Sequence, residues 1–376
     1  MKNFIKTSLF LIIASLFFSC DKENDTYIDE QNNILKDIQL ITYHGNNKSA
    51  NTGYSMLYFK DMETFRQTIK NLEIEAEQHD DAYIAAYPNM SADELTLNES
   101  EVGYDYYEPF KNFEKQYNFN NSMFKGYQIA LNNWLNTEDL KPEDDPDIAY
   151  LELEPEELVV LNDDGAVKIG DDIYFVYNGG EIIFNDISVK EFSGVIDTIS
   201  TNTGFDFSGF DFTGLDFSFD LTWGDILGFS GTEWADYSDI WDPAETCFQD
   251  ARTEDQWSVG SKKRLKGVVK AVDSQTFGKK IKAKSKYYKK YWVGWLENRA
   301  SSLKAALNGS VENSCGDNNY YWFDEDVNYT YKTNSFKAKY KVTPEDIGFS
   351  NFYIPYNLLE GVHEKGGNRH AHILEP

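Results

Sequence analysis

Four stretches between residues 265 and 342 alternate small or apolar residues with lysine, and no other pattern in the chain restricts its fold so tightly. Leu265, Gly267, Val269 and Ala271 alternate with Lys266 and Lys270, and Ile281, Ala283, Ser285 and Tyr287 with Lys280, Lys282, Lys284 and Lys286. Leu303 to Val311 carries Lys304 and Asn308 between its apolar positions, and Phe336, Ala338, Tyr340 and Val342 enclose Lys337, Lys339 and Lys341. Successive side chains of a strand point to opposite faces, so each stretch reads as a strand with one apolar face and one charged face. Short links between them specify an antiparallel, sandwich-like β-domain. If the strands are neighbours, the lysines share one side. Such a face suits phosphate or carboxylate groups on a glycan or envelope polymer. It also suits protection of strand edges, or docking on an acidic part of the same chain.

That third reading has a source of charge at hand. The 376-residue chain has a formal net charge of −28, but residues 21–260 hold 13 Lys/Arg against 51 Asp/Glu and residues 261–376 hold 20 against 12. This break near 260 marks a domain change. Upstream, Phe59, Met62, Phe65, Ile69, Leu72 and Ala76 recur at three- and four-residue steps, the signature of an amphipathic helix, with Asp61 placed to cap it. Ser91 with Glu94 opens a second helix, Phe110, Phe113 and Tyr117 mark a third, and Phe124, Tyr127, Leu131 and Trp134 a fourth. After the breaker from Lys141 to Pro146, Glu156 to Leu161 forms a short helix. Val167 to Ile169 and Ile173 to Tyr177 then form a strand pair. The expected class is α+β: an acidic helical domain with a small hairpin over 40–193, a spacer over 194–243, and a lysine-faced β-domain over 244–376. Within the spacer, residues 204–218 repeat a five-residue unit of the form Gly-Phe-Asp-Phe-Ser. Large Phe205, Phe210 and Leu215 stand where a pentapeptide coil needs a small residue, and three units are too few for a solenoid.

The N-terminus sets an address. Lys2 and Lys6 precede an apolar run from Ser8 to Phe18, too short to span a bilayer as a helix, which closes on Ser19-Cys20. This arrangement, a signal over 1–19, resembles the bacterial lipoprotein lipobox, which implies a lipid on Cys20 as the link to the membrane. Residues 20–39 then read as an acidic tether with little to bury. Acidic residues just after the cysteine resemble the signal that sends lipoproteins of the Bacteroidota to the outer face of the outer membrane. The segments FKDMETFRQTIKNLE, YPNMSADEL, EVGYDYYEPFKNFEKQYNF and VVLNDDGAVKIGDDIYFVYNG, between Met56 and Ile183, resemble a recurring family of Bacteroidota lipoproteins with no assigned activity. The resemblance implies a surface location and no chemistry.

Residue by residue, ligand-binding candidates are Lys280, Lys282, Lys284, Lys286, Lys337, Lys339 and Lys341, together with Tyr288, Trp292 and Trp295. Adjacent aromatics point to opposite faces of a strand, so the runs around Tyr287–Trp295 and Tyr320–Phe323 exceed what one core hides, and exposed rings suit stacking on sugars. With Cys20 lipidated, Cys247 and Cys315 remain as an even pair and are expected to form a disulfide in an exported protein. His370 and His372 would face one way on a strand, the best metal candidates present, but the tail reads more simply as frayed. Asp317, Asp324, Glu325 and Asp326 lack the spacing of a calcium loop. No HExxH, Gly-x-Ser-x-Gly, phosphate-loop or dinucleotide motif occurs, so neither an enzyme nor a cofactor is expected. The expected function is non-enzymatic recognition or attachment at the cell surface, with a polysaccharide or a surface protein as partner and no nucleic acid. The competing expectations are an accessory enzyme with unrecognised carboxylates and a structural subunit of a surface complex.

Overall fold

Helix signals and strand alternation meet in a mixed α+β arrangement. The computed structural model describes residues 37–43, 54–150, 153–177, 180–193, 196, 217–220, 247–316, 319–356 and 358–375. The signal segment with Cys20, the tether as far as residue 36, and the repeats through residue 216 lie outside them.

The chain begins with strands β1 (Ile38–Tyr43) and β2 (Tyr54–Phe59), followed by helices α1 (Met62–Ala86), α2 (Ala92–Val102), α3 (Glu108–Tyr117) and α4 (Met123–Leu135). Two one-turn helices follow, α5 (Pro146–Ala149) and α6 (Pro155–Leu158). Each long helix has a local reason to start where it does. Asp61 accepts the Thr64 N–H at 2.7 Å ahead of α1, and Ser91 and Glu94 close a reciprocal capping box on α2. The Phe59 to Ala76 periodicity straddles a boundary: Phe59 ends β2, while Phe65, Leu72 and Ala76 are the buried stripe of α1.

Strands β3 (Ala166–Ile169), β4 (Asp172–Tyr177), β5 (Gly180–Phe184) and β6 (Phe217–Asp220) come next. The expected hairpin is β3–β4, but it sits inside a six-stranded sheet ordered β1 to β6. Within that sheet β2 and β3 run parallel, which the long connection between them, carrying all six helices, permits.

Among the described residues from 247 onward, apart from a 3-10 turn at Glu345–Ile347, the regular elements are strands: β7 (Cys247–Phe248), β8 (Ala251–Ser258), β9 (Lys263–Ser274), β10 (Gly278–Tyr291), β11 (Gly294–Glu297), β12 (Leu303–Glu312), β13 (Tyr320–Phe323), β14 (Tyr329–Lys332), β15 (Lys337–Val342), β16 (Ile354–Pro355), β17 (Leu359–Lys365) and β18 (Asn368–Ile373). The four alternating stretches are β9, β10, β12 and β15. β10 pairs with β9 along one edge and with β15 and then β11 along the other. In the neighbouring sheet β12 pairs with β17 along one edge and with β14 and then β13 along the other. Leu265, Val269, Ile281 and Ala283 from the first of these sheets share a core with Leu303, Ala305, Leu307 and Val311 from the second.

Two expectations change here. The tail is not frayed: β17 and β18 are paired strands, and His363 is buried in the interior. The helical and lysine-bearing parts are also not separate domains, because Asp37–Pro376 forms one compact unit. The physical reason is shared interior. Tyr288 and Trp295, from β10 and β11, lie in the same core as Phe65, Phe110, Phe124 and Trp134 of the helices. Buried Arg299 reaches across to α1 and α2, holding Glu99 through Nε at 2.6 Å and Asp80 through Nη2 at 2.5 Å.

Candidate ligand-binding face

The lysine face lies inside the protein. Register brings like charges opposite one another: Lys286 stands between Lys266 and Lys337, Lys284 beside Lys339, and Lys282 between Lys270 and Lys341. Directly opposed like charges are unfavourable, so this face needs carboxylates close by. The stretch 145–157 supplies them. Lys266 Nζ donates to Asp145 and Asp147, both at 2.7 Å, Lys282 donates to Glu154 at 2.8 Å, and Lys280 to Glu157. Lys284 and Lys286 lie 3.5 and 3.3 Å from Asp147, while Lys339 and Lys341 share Glu73 of α1. Lys337 lies 3.8 Å from Glu154.

Burial alone would raise the carboxyls of Asp147 and Glu154, but the surrounding ammonium groups win and hold both well below the usual range. Glu157 is brought to about 2 in the same way, burial opposed by Lys280 and Lys282, and Glu73 to about 2 by Lys339 and Lys341. Asp145 goes the other way, because burial and its neighbour Asp147 outweigh Lys266. Lys280, Lys282, Lys284 and Lys286 are buried, Lys337 and Lys339 are half-buried, and all six lie beside carboxylates of the same chain. Lys341 is exposed but ion-paired to Glu73. Tyr288 and Trp295 are core residues, so of the aromatic candidates only Trp292 is exposed.

The exposed aromatics gather on the other sheet. Odd-numbered residues of β12 point into the core, so its even-numbered residues line the outer face. Tyr331 stands opposite Lys304, Tyr329 opposite Ala306, Trp322 opposite Ser310 and Tyr320 opposite Glu312, which puts all four rings on that outer face. Tyr321 and Phe323, between them in sequence, pack inward. From Lys304 to Glu312 the row extends about 27 Å at strand rise. Trp322 is 66% exposed and Tyr331 53%. Tyr320 and Trp322 lie 6.3 Å apart at 39°, and Lys304 Nζ sits 4.9 Å above the Tyr329 ring. Lys304, Asp326, Tyr329 and Tyr331 line a shallow depression of about 370 Å³.

Polar groups stand alongside the middle of the row, where no ring is present. Asn308 Nδ2 donates to Glu360 at 2.7 Å, and Arg369 grips Glu325 and approaches Glu360 at 3.5 Å. Gly309 sits at the same level with φ of +120°, and a Cβ there would be 1.8 Å from the Leu358 carbonyl, so only glycine fits. Arg264, Lys290 and the buried lysines belong to the other sheet, and on this face Lys304 lies 3.5 Å from Asp326 and Arg369 pairs with Glu325.

The remaining candidates have structural roles. Cys247 and Cys315 form the expected disulfide. Among the described residues, one cluster has the spacing of a metal site, those two cysteines with Glu312, and the disulfide occupies both sulfurs. His370 and His372 do face one way, toward Trp257, but their rings stack on it at 4.7 and 5.7 Å instead of converging their nitrogens on a point. Ser285 donates to the Lys304 carbonyl at 2.7 Å, so His363 Nδ1, 2.8 Å away, is the donor to Ser285. Burial and the two neighbouring histidines push His363 well below its usual value. Asp324 Oδ1 accepts the Asp326 N–H and the Asp324 N–H donates to Asn328 Oδ1; Glu325 pairs with Arg369, while Asp317 lies outside the described residues.

No family model matches the chain, and no curated protein does. Among solved structures, it is similar to the crystal structure of a DUF4848 family protein from Bacteroides thetaiotaomicron, with a TM-score of 0.17 and 11% identity over 88% of this chain and 98% of that one. At such a score the superposition defines no common fold, and the neighbour's name assigns no activity.

Proposed function

We propose that this chain is a non-enzymatic, lipid-anchored surface protein, tethered at Cys20 to the outer membrane and facing outward, that holds a polysaccharide chain on the outer face of a sandwich-like β-region. The observation that carries the reading is the row of Tyr331, Tyr329, Trp322 and Tyr320, in register on one exposed face. Flat rings give apolar faces to the C–H faces of sugar rings, and Asn308, Glu360 and Arg369 beside them offer hydrogen bonds to hydroxyls. The charge pattern favours a neutral polymer, because the lysines expected to attract acidic groups are engaged within the protein. Acidic residues close to one another in the ion layer are clamped by lysine, which supports binding over acid–base chemistry.

The test is affinity electrophoresis through gels containing neutral polysaccharides, comparing wild type with Trp322→Ala and Tyr331→Ala. Loss of either ring costs about 1–2 kcal/mol of binding, roughly five- to thirtyfold in affinity. Retardation that both variants retain in full would refute the role of the face.

A further inference from the structure

A second exposed feature lies on the other sheet and is independent of the polysaccharide face. β10 and β11 pair up to Tyr291 opposite Gly294, leaving Trp292 and Val293 as the turn. Trp292 is 95% exposed and Val293 49%, so the end of a 14-residue strand carries a bare indole beside a branched apolar residue. Neither is a usual turn residue. The tip is also held firmly: Gly294 lies against the Leu135 carbonyl at the end of α4, and Lys290 donates to the Glu138 carbonyl.

Positive charge surrounds it. The Lys290 N–H bonds the Lys262 carbonyl at 2.9 Å, which brings the β8–β9 turn with Lys262 and Lys263 alongside. Lys365, at the start of the β17–β18 turn, places its Nζ 4.6 Å above the Tyr287 ring of β10. Asp93, bonded to Lys289 at 2.7 Å, answers part of this charge. Lys262 and Lys263 thus stand beside the tip, with Asp139 taken up by Arg264 at 3.3 Å and exposed Glu138 alongside, in a chain whose overall charge is −28.

We propose that this end is a membrane-contact tip: Trp292 and Val293 enter the headgroup region of a bilayer, and Lys262 and Lys263 face anionic lipid headgroups. Tryptophan favours the membrane interface because its ring is apolar and its N–H polar, and lysines near an anionic surface add attraction that salt screens. A contact of this kind would fix the orientation of a protein held near a membrane.

The experiment uses the chain from residue 20 with Cys20→Ser, which lacks both leader and lipid, sedimented with phosphatidylcholine vesicles with and without phosphatidylglycerol. Expected is salt-sensitive partitioning onto the anionic vesicles and quenching of tryptophan fluorescence by bromine-labelled acyl chains. Trp292→Ala should abolish the quenching and weaken partitioning about tenfold. Each of Lys262→Gln and Lys263→Gln should weaken it roughly fivefold. Neither position is buried, so the melting temperature should not change and misfolding is separable from lost contact. Absence of partitioning, or partitioning and quenching that Trp292→Ala leaves intact, would overturn the proposal. A Trp292 signal that responds to soluble polysaccharide and not to vesicles would overturn it too.

Discussion

Replacing Lys266 by methionine is expected to cost more stability than any exposed lysine substitution in this protein. Lys266 is fully buried, with Asp145 and Asp147 at 2.7 Å and Glu254 at 3.3 Å. Its removal leaves Asp145 and Glu254 without this partner, while Asp147 keeps Lys284 and Lys286. Breaking a buried pair from one side costs about 3–5 kcal/mol, because a desolvated charge stays behind. For a compact unit of roughly 340 residues, an unfolding entropy near 2.1 cal/mol/K per residue converts this into a melting temperature lower by about 4–7 °C. Calorimetric melts at neutral pH would measure it, with exposed Lys262→Met as the control. The double variant Lys266→Met/Asp145→Asn should recover part of the loss, since Asp145 is already the carboxyl that burial drives toward neutrality. A melting temperature within about 1 °C of wild type, judged against that 4–7 °C expectation, would refute the reasoning and return the lysine face to solvent.

The ion layer sets a pH dependence, and the disulfide a redox dependence. Glu157 and Glu73 are brought to about 2, and Asp147 and Glu154 well below the usual range. The unfolded chain therefore binds more protons than the folded one over the window from about pH 4.5 down to about 2, and stability present at neutral pH is lost as pH falls through it; urea midpoints that stay flat across the window would contradict this. The Cys247–Cys315 bridge closes 68 residues of sequence, so Cys247→Ser/Cys315→Ser, or reductant, should cost about 2–5 kcal/mol, read as a lower melting temperature; unchanged melting in both would count against the bridge.

Much of the local structure was legible in the sequence, and the misreadings share a cause. Asp61 and Ser91 marked true helix starts, and the four alternating stretches are true strands, because capping and period-two patterning are local signals. Alternation separates two faces without saying what covers each. Lysine suggested solvent, yet Lys282 faces Glu154, 128 residues away, and Lys266 faces Asp145, 121 residues away. Those carboxylates lie at and beyond a stretch whose prolines read only as a chain breaker. The opposite charges of the two halves were the one available clue. Similarly, Tyr288 and Trp295 gave no local sign of the helical core they complete. Tyr320 and Trp322 were visible as an aromatic excess, but Tyr329 and Tyr331 join them only through the pairing of both strands with β12. The glycines of the tail suggested fraying, whereas Gly366 and Gly367 form the turn of a paired hairpin, both at positive φ.

The most direct test of the central claim, that recognition belongs to the aromatic face while the lysines are internal, is the salt dependence of polysaccharide binding. Titration calorimetry with neutral and acidic polysaccharides, from low salt to molar salt, separates the two. Stacking predicts binding to a neutral polymer with affinity constant within about twofold across the range, since screening acts on exposed charges. Binding confined to acidic polymers and abolished by salt would contradict the account.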